Sequence, residues 1–235
     1  NWQKISCRKN SEAMDVKALA VALQNSQSIS NIVIASSATV TGTDYDDLLK
    51  ISQLCKKYKA WLHVDAAFGI FERLLVGPQG KTQGIELADS ITLDCHKWLN
   101  VPYDCGVFLT QYPALLKDSC NAIAPYLAND QQTTDFLSLG IENSRRFRAF
   151  PVWATLMAYG MQGITDQIQS NVNQAQKLAQ WIDKSSDYLL VKPCELNVVL
   201  FRPNSARHNL TSSDCIEQLN QSGQVFLTPG RWQGE

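Results

Sequence analysis

Apolar and polar positions alternate along this chain with two different periods, and the changes of period mark out its elements. In AMDVKALAVALQ, residues 13 to 24, apolar side chains recur at helical spacing and predict an amphipathic helix. SISNIVIASSA, residues 28 to 38, is a short apolar run rich in β-branched residues and predicts a buried strand. A loop of small and hydroxyl residues, 36 to 44, leads into a second helix predicted over 45 to 58. Thr43 or Asp44 suits its N-cap, and Asp46 and Asp47 suit its first turn. Residues 61 to 64, Trp-Leu-His-Val, predict a short strand with Asp65 at its carboxyl end. FERLLVG follows as a short helix or turn, then GPQGKTQG, a Gly-rich connection without the spacing of a phosphate-binding loop.

The strongest local signal is ADSITLDCHKWLNVPYDCGVFLT, residues 88 to 110. SITLDC and CGVFLT predict two strands with a Pro-Tyr-Asp turn between them. QYPALLKDS predicts a short helix. Residues 119 to 143 are long, polar and weakly periodic, the character either of a lid over a functional site or of a disordered segment. An apolar helical run follows, interrupted at Pro151, with helix expected through 152 to 184. YLLVKP, NVVLFRP and SSDCIEQLNQSG then predict a smaller α+β unit, with VFLTP starting a further strand. The strand–helix–strand order is that of an α/β sheet with parallel pairs.

Composition narrows the partners. The chain has 235 residues, 45% hydrophobic and 18% charged, enough for one large domain or two smaller ones. A net charge of −1 gives no electrostatic case for nucleic acid or an anionic membrane. No apolar run has the length of a membrane span, and NWQKISCRKN lacks a signal-peptide apolar core. Seven cysteines form no CxxC pair, and three histidines are dispersed at 63, 96 and 208, so no metal site is expected. Free thiols and a cytoplasmic location are the expectation.

Two strand ends carry candidate chemistry. Lys97 follows Asp94, Cys95 and His96 and is capped by Trp98. Burial there would favour the neutral amine, which attacks carbonyl carbons and forms Schiff bases. Such chemistry points to an aldehyde cofactor of the pyridoxal phosphate type. A lone strand-end lysine more often snorkels to solvent, so the second strand end carries the weight. Asp65 stands where open α/β sheets present ligand-binding groups, and a carboxylate there can keep a pyridine nitrogen protonated. The competing role for it is to cap the next turn. Ala66 and Ala67 beside it leave flat space for one face of an aromatic ring.

HVDAAFG followed by ADS-x-T-x-D-x-HKWLNVPYDCG closely resembles the pyridoxal-phosphate-dependent amino-acid decarboxylases related to aromatic-L-amino-acid and glutamate decarboxylase. The resemblance continues through SRRFRAFPVWATLMAYG, 144 to 160, and FLTPGRWQGE, 226 to 235. It implies a fold-type-I α/β architecture, like that of aspartate aminotransferase. This has a mixed, mostly parallel sheet with helices on both faces, plus part of a small C-terminal α+β domain. Residues 1–150 would be the remainder of the large cofactor-binding domain, and 151–235 the linking helix and partial small domain. The implied activity is decarboxylation of an L-amino acid through a Lys97 Schiff base with pyridoxal 5'-phosphate. Asp65 would hold the ring nitrogen, Ala67 would give the ring room, and His96 would contact the phosphate or position the Schiff base. Thr39 and Arg145 would lie in the cofactor's neighbourhood, and Tyr126, on the loop, would deliver the proton that replaces carbon dioxide. The resemblance also implies a homodimer, and a chain incomplete at both ends whose ring-stacking and most phosphate-binding residues precede residue 1. Cys95 departs from the proline or alanine common at that position. An aldehyde synthase or aminotransferase would use the same Lys and Asp, and an inactive truncated chain is the non-enzyme alternative.

Overall fold

The computed structural model describes residues 2–120, 136–142 and 144–232. Four strands form the main sheet: β1 (Ile32–Ser36), β2 (Trp61–Asp65), β3 (Ser90–Asp94) and β4 (Gly106–Thr110), adjacent in that order. The first three are parallel, and β4 returns antiparallel beside β3. The register places Ser36 beside Asp65, Asp65 beside Thr92 and Asp94 beside Gly106.

Alternation along the strands explains how this sheet is covered. Val33, Ala35, Leu62 and Val64 share one face. They pack in one apolar cluster with Leu19 and Leu23 of α1 (Val16–Gln24) and Leu48, Ile51 and Cys55 of α2 (Leu48–Tyr58). Their neighbours Ile34, His63, Asp65, Thr92 and Phe108 share the other face. That face is open among the described residues, and Ile34 is 63% exposed.

Helix α1 begins as its pattern predicts, with Asp15 accepting from the backbone N–H of Lys17 and Ala18. Helix α2 starts later than the pattern predicts, and its N-cap is Asp47, not Asp44 or Thr43. The acidic residues before it are committed elsewhere. Asp46 accepts from Met14 N–H at 2.6 Å and Ser36 N–H at 2.7 Å, and Asp44 accepts from Glu12 N–H at 2.7 Å. These two carboxylates pin the N-terminal segment to β1 instead of opening a helix. Asp46 is buried, and desolvation raises its pKa despite both N–H donors.

Beyond β2, a short 3₁₀ turn (Gly69–Glu72) runs into α3 (Arg73–Val76). Gly69 is required there, since a Cβ would lie 2.0 Å from the carbonyl oxygen of Ser37. After β4 come α4 (Pro113–Cys120) and the long α5 (Ala149–Lys184). Pro151 does not interrupt α5. It falls in the first turn, where its missing N–H costs no helical bond. The break lies at Gly160, whose φ of 61° is in the left-handed region. Ile164, Ile168 and Val172 of α5 join a second apolar cluster with Phe71, Cys95, Trp98, Leu99, Val101, Cys105 and Leu196.

The C-terminal part pairs β5 (Tyr188–Leu190) with antiparallel β6 (Phe201–Pro203), followed by α6 (Ser212–Gln221) under a Thr211–Asp214 capping box. VFLTP does not form the expected strand. Its backbone at Leu227 bonds instead to the Asn220 side chain, at 2.7 Å from N and 2.9 Å from O. All seven cysteines are free thiols, and no helix among the described residues is long and apolar enough to cross a membrane.

Candidate active site

Three parallel strand ends meet at one edge of the sheet, and backbone hydrogen bonds lock their following loops side by side. Ser37 N–H donates to Asp65 O at 2.7 Å, Ala66 N–H to Thr92 O at 2.8 Å, and Asp94 N–H to Ala67 O at 3.0 Å. The stretches that hold Asp65, Ala67 and Lys97 are therefore neighbours in space, although 32 positions separate Asp65 from Lys97 (97 − 65).

Asp65 projects from the open face at the end of β2, and one carboxylate oxygen accepts from Ala67 N–H at 3.1 Å. Its other oxygen has no hydrogen-bond partner among the described residues. The two alanines separate by strand alternation. Ala66 is fully buried in the core, whereas Ala67 is partly exposed. His63, two residues earlier on the same face, lies 2.8 Å from the Ser90 hydroxyl and stacks on Phe108. Burial lowers its pKa, against the opposing pull of the Asp65 charge.

The loop from β3 to β4 is held by its apolar residues and by Cys105. Trp98 is only 6% exposed and sits edge-on to Phe68 and Phe71, with its indole N–H on Asn171 Oδ1 at 2.9 Å. Leu99 and Val101 are buried beside it. Cys105 O accepts from Cys95 N–H at 2.9 Å and from His96 N–H at 3.3 Å. His96 Nδ1 lies 3.0 Å from both the N–H and the carbonyl oxygen of Cys105, and because that carbonyl already accepts two backbone N–H groups we assign Nδ1 as the acceptor from Cys105 N–H. The ring proton then belongs on Nε2. The His96 ring also lies against Tyr103, 4.4 Å between centroids. Desolvation pushes the Cys95 thiol up to about 11, so it is a neutral packing group at ordinary pH.

Lys97 corrects the expectation of a buried amine. Its side chain is 44% exposed, and Nζ lies 2.9 Å from Asp94 Oδ2 and 6.0 Å from the centre of the Phe68 ring. The strand ends at Asp94, so the next residues turn out of the sheet and carry the lysine with them. Its indole neighbour takes the buried place instead. Asp94 and Tyr103, which contact Lys97 and His96, were not among the candidate residues named from the sequence. The signal for Asp94 was its i, i+3 spacing to Lys97 across a turn.

The other predicted residues lie differently. Thr39 adjoins the cluster through the 37–39 loop, but its hydroxyl is engaged by the Glu12 carboxylate and by Asp44 N–H at 3.1 Å. Arg145 donates to the Phe136 carbonyl, and no contact among the described residues brings it to Lys97 or Asp65. Arg146 and Arg148 instead pair with Asp104, on the loop that carries Lys97. Tyr126 lies outside the described residues.

With this geometry in place, comparison with known proteins is decisive about the family. Residues 2–204 match the pyridoxal-dependent decarboxylase conserved domain, and the chain belongs to that family. Aromatic-L-amino-acid decarboxylase of Bacillus atrophaeus is 32% identical over 193 residues, covering 80% of this chain and 40% of that protein. The 3,4-dihydroxyphenylacetaldehyde synthase of Drosophila melanogaster is 28% identical over 207 residues, covering 86% and 40%. The crystal structure of Oryza sativa TDC with PLP and tryptamine superposes with a TM-score of 0.86 at 23% identity, over 94% of this chain and 49% of that one. The fold is thus fold-type-I α/β, and this chain spans about two fifths of the length of the curated relatives it matches.

The described residues fit part of a pyridoxal phosphate site. An amine and a solvent-facing carboxylate follow neighbouring strand ends, with a small, partly exposed alanine bonded through its N–H to that carboxylate. That donor set suits the aldehyde, the ring nitrogen and one ring face respectively.

Proposed function

We propose that this chain carries the lysine-bearing part of a pyridoxal-phosphate-dependent carboxy-lyase that converts an L-amino acid to its amine and carbon dioxide. The observation that carries the reading is the juxtaposition of Lys97 and Asp65 at adjoining strand ends. The aromatic substrates named by its relatives make an aromatic L-amino acid the first choice in the assay. The bound cofactor supplies an aldehyde carbon for amines and a ring that accepts the electron pair left when carbon dioxide departs.

The residues divide the remaining work. The Lys97 amine is the covalent attachment point, and it is within reach of solvent and ligand. The Asp65 carboxylate, anchored through one oxygen, offers the other to a protonated ring nitrogen. Ala67 keeps one side of that carboxylate free for a flat ring, and His96 presents Nε2–H towards an anion or the attachment point. Tyr126 acts as the general acid that delivers a proton to the substrate carbon. Residues 1–150 form the cofactor-binding unit in this reading, and 151–235 the linking helix and small unit.

A homodimer is part of the proposal. Phe147, Phe150, Trp153 and Met157 form an exposed apolar stripe along the start of α5, which supports burial against a second copy. The seven free thiols support a reducing, cytoplasmic compartment.

The experiment is borohydride reduction of the cofactor-loaded protein, in the longest natural polypeptide that contains this chain, followed by peptide mapping. The reduced cofactor is expected on Lys97 and is lost in Lys97→Ala; finding it on another lysine overturns the assignment. A second reading, aldehyde synthase, is favoured by the Drosophila relative. Tyr126→Phe separates the two. With dioxygen as oxidant and water consumed, the variant is expected to shift from amine towards aldehyde, ammonia and hydrogen peroxide, with carbon dioxide released in both cases. An unchanged ratio of amine to aldehyde at unchanged rate would remove Tyr126 from the mechanism.

A further inference from the structure

The Lys97 amine already has a partner, and that partner is built into the strand that delivers it. Asp94 is the last residue of β3, on the same sheet face as Asp65 and Thr92. Its position is fixed from two sides: its N–H is bonded to Ala67 O at 3.0 Å, and its register partner is Gly106. From there Oδ2 reaches Lys97 Nζ at 2.9 Å, and the same oxygen lies 3.7 Å from His96 Nε2. We propose that Asp94 is a positioning residue that parks the Lys97 amine in an ion pair until an anionic aldehyde ligand displaces it. The proposal rests on the reading of Lys97 as the cofactor's attachment point.

Two features make the contact more than a chance surface pair. First, the handover leaves no stranded charge. With Nδ1 assigned as the acceptor from Cys105 N–H, the ring proton lies on Nε2, the nitrogen that faces Asp94 at 3.7 Å. When the amine departs, a shift of under an ångström from 3.7 Å brings that N–H into hydrogen-bond range of the carboxylate. Second, the rest of the loop cannot follow the lysine. Trp98 is held by Asn171, and Gln167 donates to the Trp98 carbonyl at 3.2 Å, so only the flexible Lys97 side chain moves. A paired ammonium is a poor nucleophile towards any electrophile, including the adventitious ones a half-exposed lysine meets.

The test is the acylation rate of each lysine in the cofactor-free protein. It uses an N-hydroxysuccinimide acetate pulse at fixed pH, read by peptide mass spectrometry. Asp94→Ala and Asp94→Asn are expected to raise labelling of Lys97 about threefold relative to Lys17 and Lys50, the scale of a partly exposed ion pair. Asp94→Glu, which keeps the charge, is expected to restore protection. Borohydride-trapped pyridoxal phosphate is then expected to accumulate on residue 97 faster in Asp94→Asn than in the wild type. A general loosening of the fold would raise labelling at many lysines and leave Asp94→Glu as reactive as Asp94→Ala, and that pattern overturns the proposal. So does equal Lys97 labelling in wild type and Asp94→Asn. A wild type with no trapped cofactor on Lys97 would instead overturn the reading of the site itself.

Discussion

Trp98 is the residue on which the geometry of the lysine loop depends, and removing it tests that dependence quantitatively. Its indole is almost fully buried, edge-on to Phe68 and Phe71, in one cluster with Ile164 and Ile168 of α5. Trp98→Ala deletes most of that apolar volume and is expected to cost about 3–5 kcal/mol, the range for large buried aromatics. Trp98→Phe keeps an aromatic ring but abolishes the N–H bond to Asn171, which adds a loss of about 1 kcal/mol to the cost of the smaller ring. Both are read from urea unfolding followed by circular dichroism, comparing midpoints at equal slope. The order wild type, Phe, Ala is the signature of a packed, hydrogen-bonded pin. A loss under about 1 kcal/mol for Trp98→Ala, the level of an ordinary surface change, would refute the argument. The loop's shape would then be set by its backbone bonds to Cys105 alone.

Two further changes probe the carboxylates. Asp65→Asn nearly keeps the shape at the end of β2 but removes the charge, so turnover should fall about a hundredfold or more while cofactor still binds. Steady-state kinetics beside cofactor absorbance check this, and turnover within a few-fold of wild type would make Asp65 a turn residue. Lys192→Met removes the donor that bonds Asp44 Oδ1 and Gly42 O, each at 2.6 Å, and should cost about 1–3 kcal/mol near neutral pH. Burial alone would raise the Asp44 pKa, but Lys192 and the Glu12 N–H outweigh it and hold the value below 3.8. The folded state therefore gains stability above that pH and loses it as pH falls through the depressed value. The wild-type advantage over Lys192→Met should accordingly shrink below pH 3.8, as urea unfolding at neutral and strongly acid pH would show.

The sequence made the strands and their ends legible because alternation and burial agree there. Val64 points into the core, which turns Asp65 outward as the pattern states, whereas the expectation that Ala66 shares the open face with Ala67 is corrected by its full burial. The family signal was equally legible, since its motifs are contiguous. What the sequence concealed were competing uses of polar side chains. Asp44 and Asp46 look like helix-start residues, yet tertiary N–H donors from Glu12, Met14 and Ser36 claim them. Thr39 looks like a free hydroxyl, but Glu12 and Asp44 engage it from segments that a local reading does not connect. Lys97 was expected to be buried because it ends an apolar strand between His96 and Trp98. In the turn after Asp94, Trp98 and Leu99 are buried while the Lys97 side chain stays 44% exposed, because the indole and the leucine have the larger apolar surface to remove from water.

Strand alternation explains why the candidate site's polar groups collect at this edge of the sheet. Period-two alternation fixes each strand in register by its buried residues, and a slip of one residue in β2 would turn Leu62 and Val64 outward and bury Asp65 without a partner. Burying an unpaired carboxylate costs more than a strand of five residues can recover from its own packing. The outward carboxylate is therefore specified as strongly as the core is. Asp94 follows by the same count on β3, since Thr92 and Asp94 fall on the face of Asp65. A sheet held by its apolar face in this way presents a row of polar strand ends on the other. The loop pinned by Trp98 then places a flexible amine over that row. In the proposed reading, stability and reactivity fall on opposite faces of the same strands, so Asp65→Asn is expected to remove chemistry while leaving the core untouched.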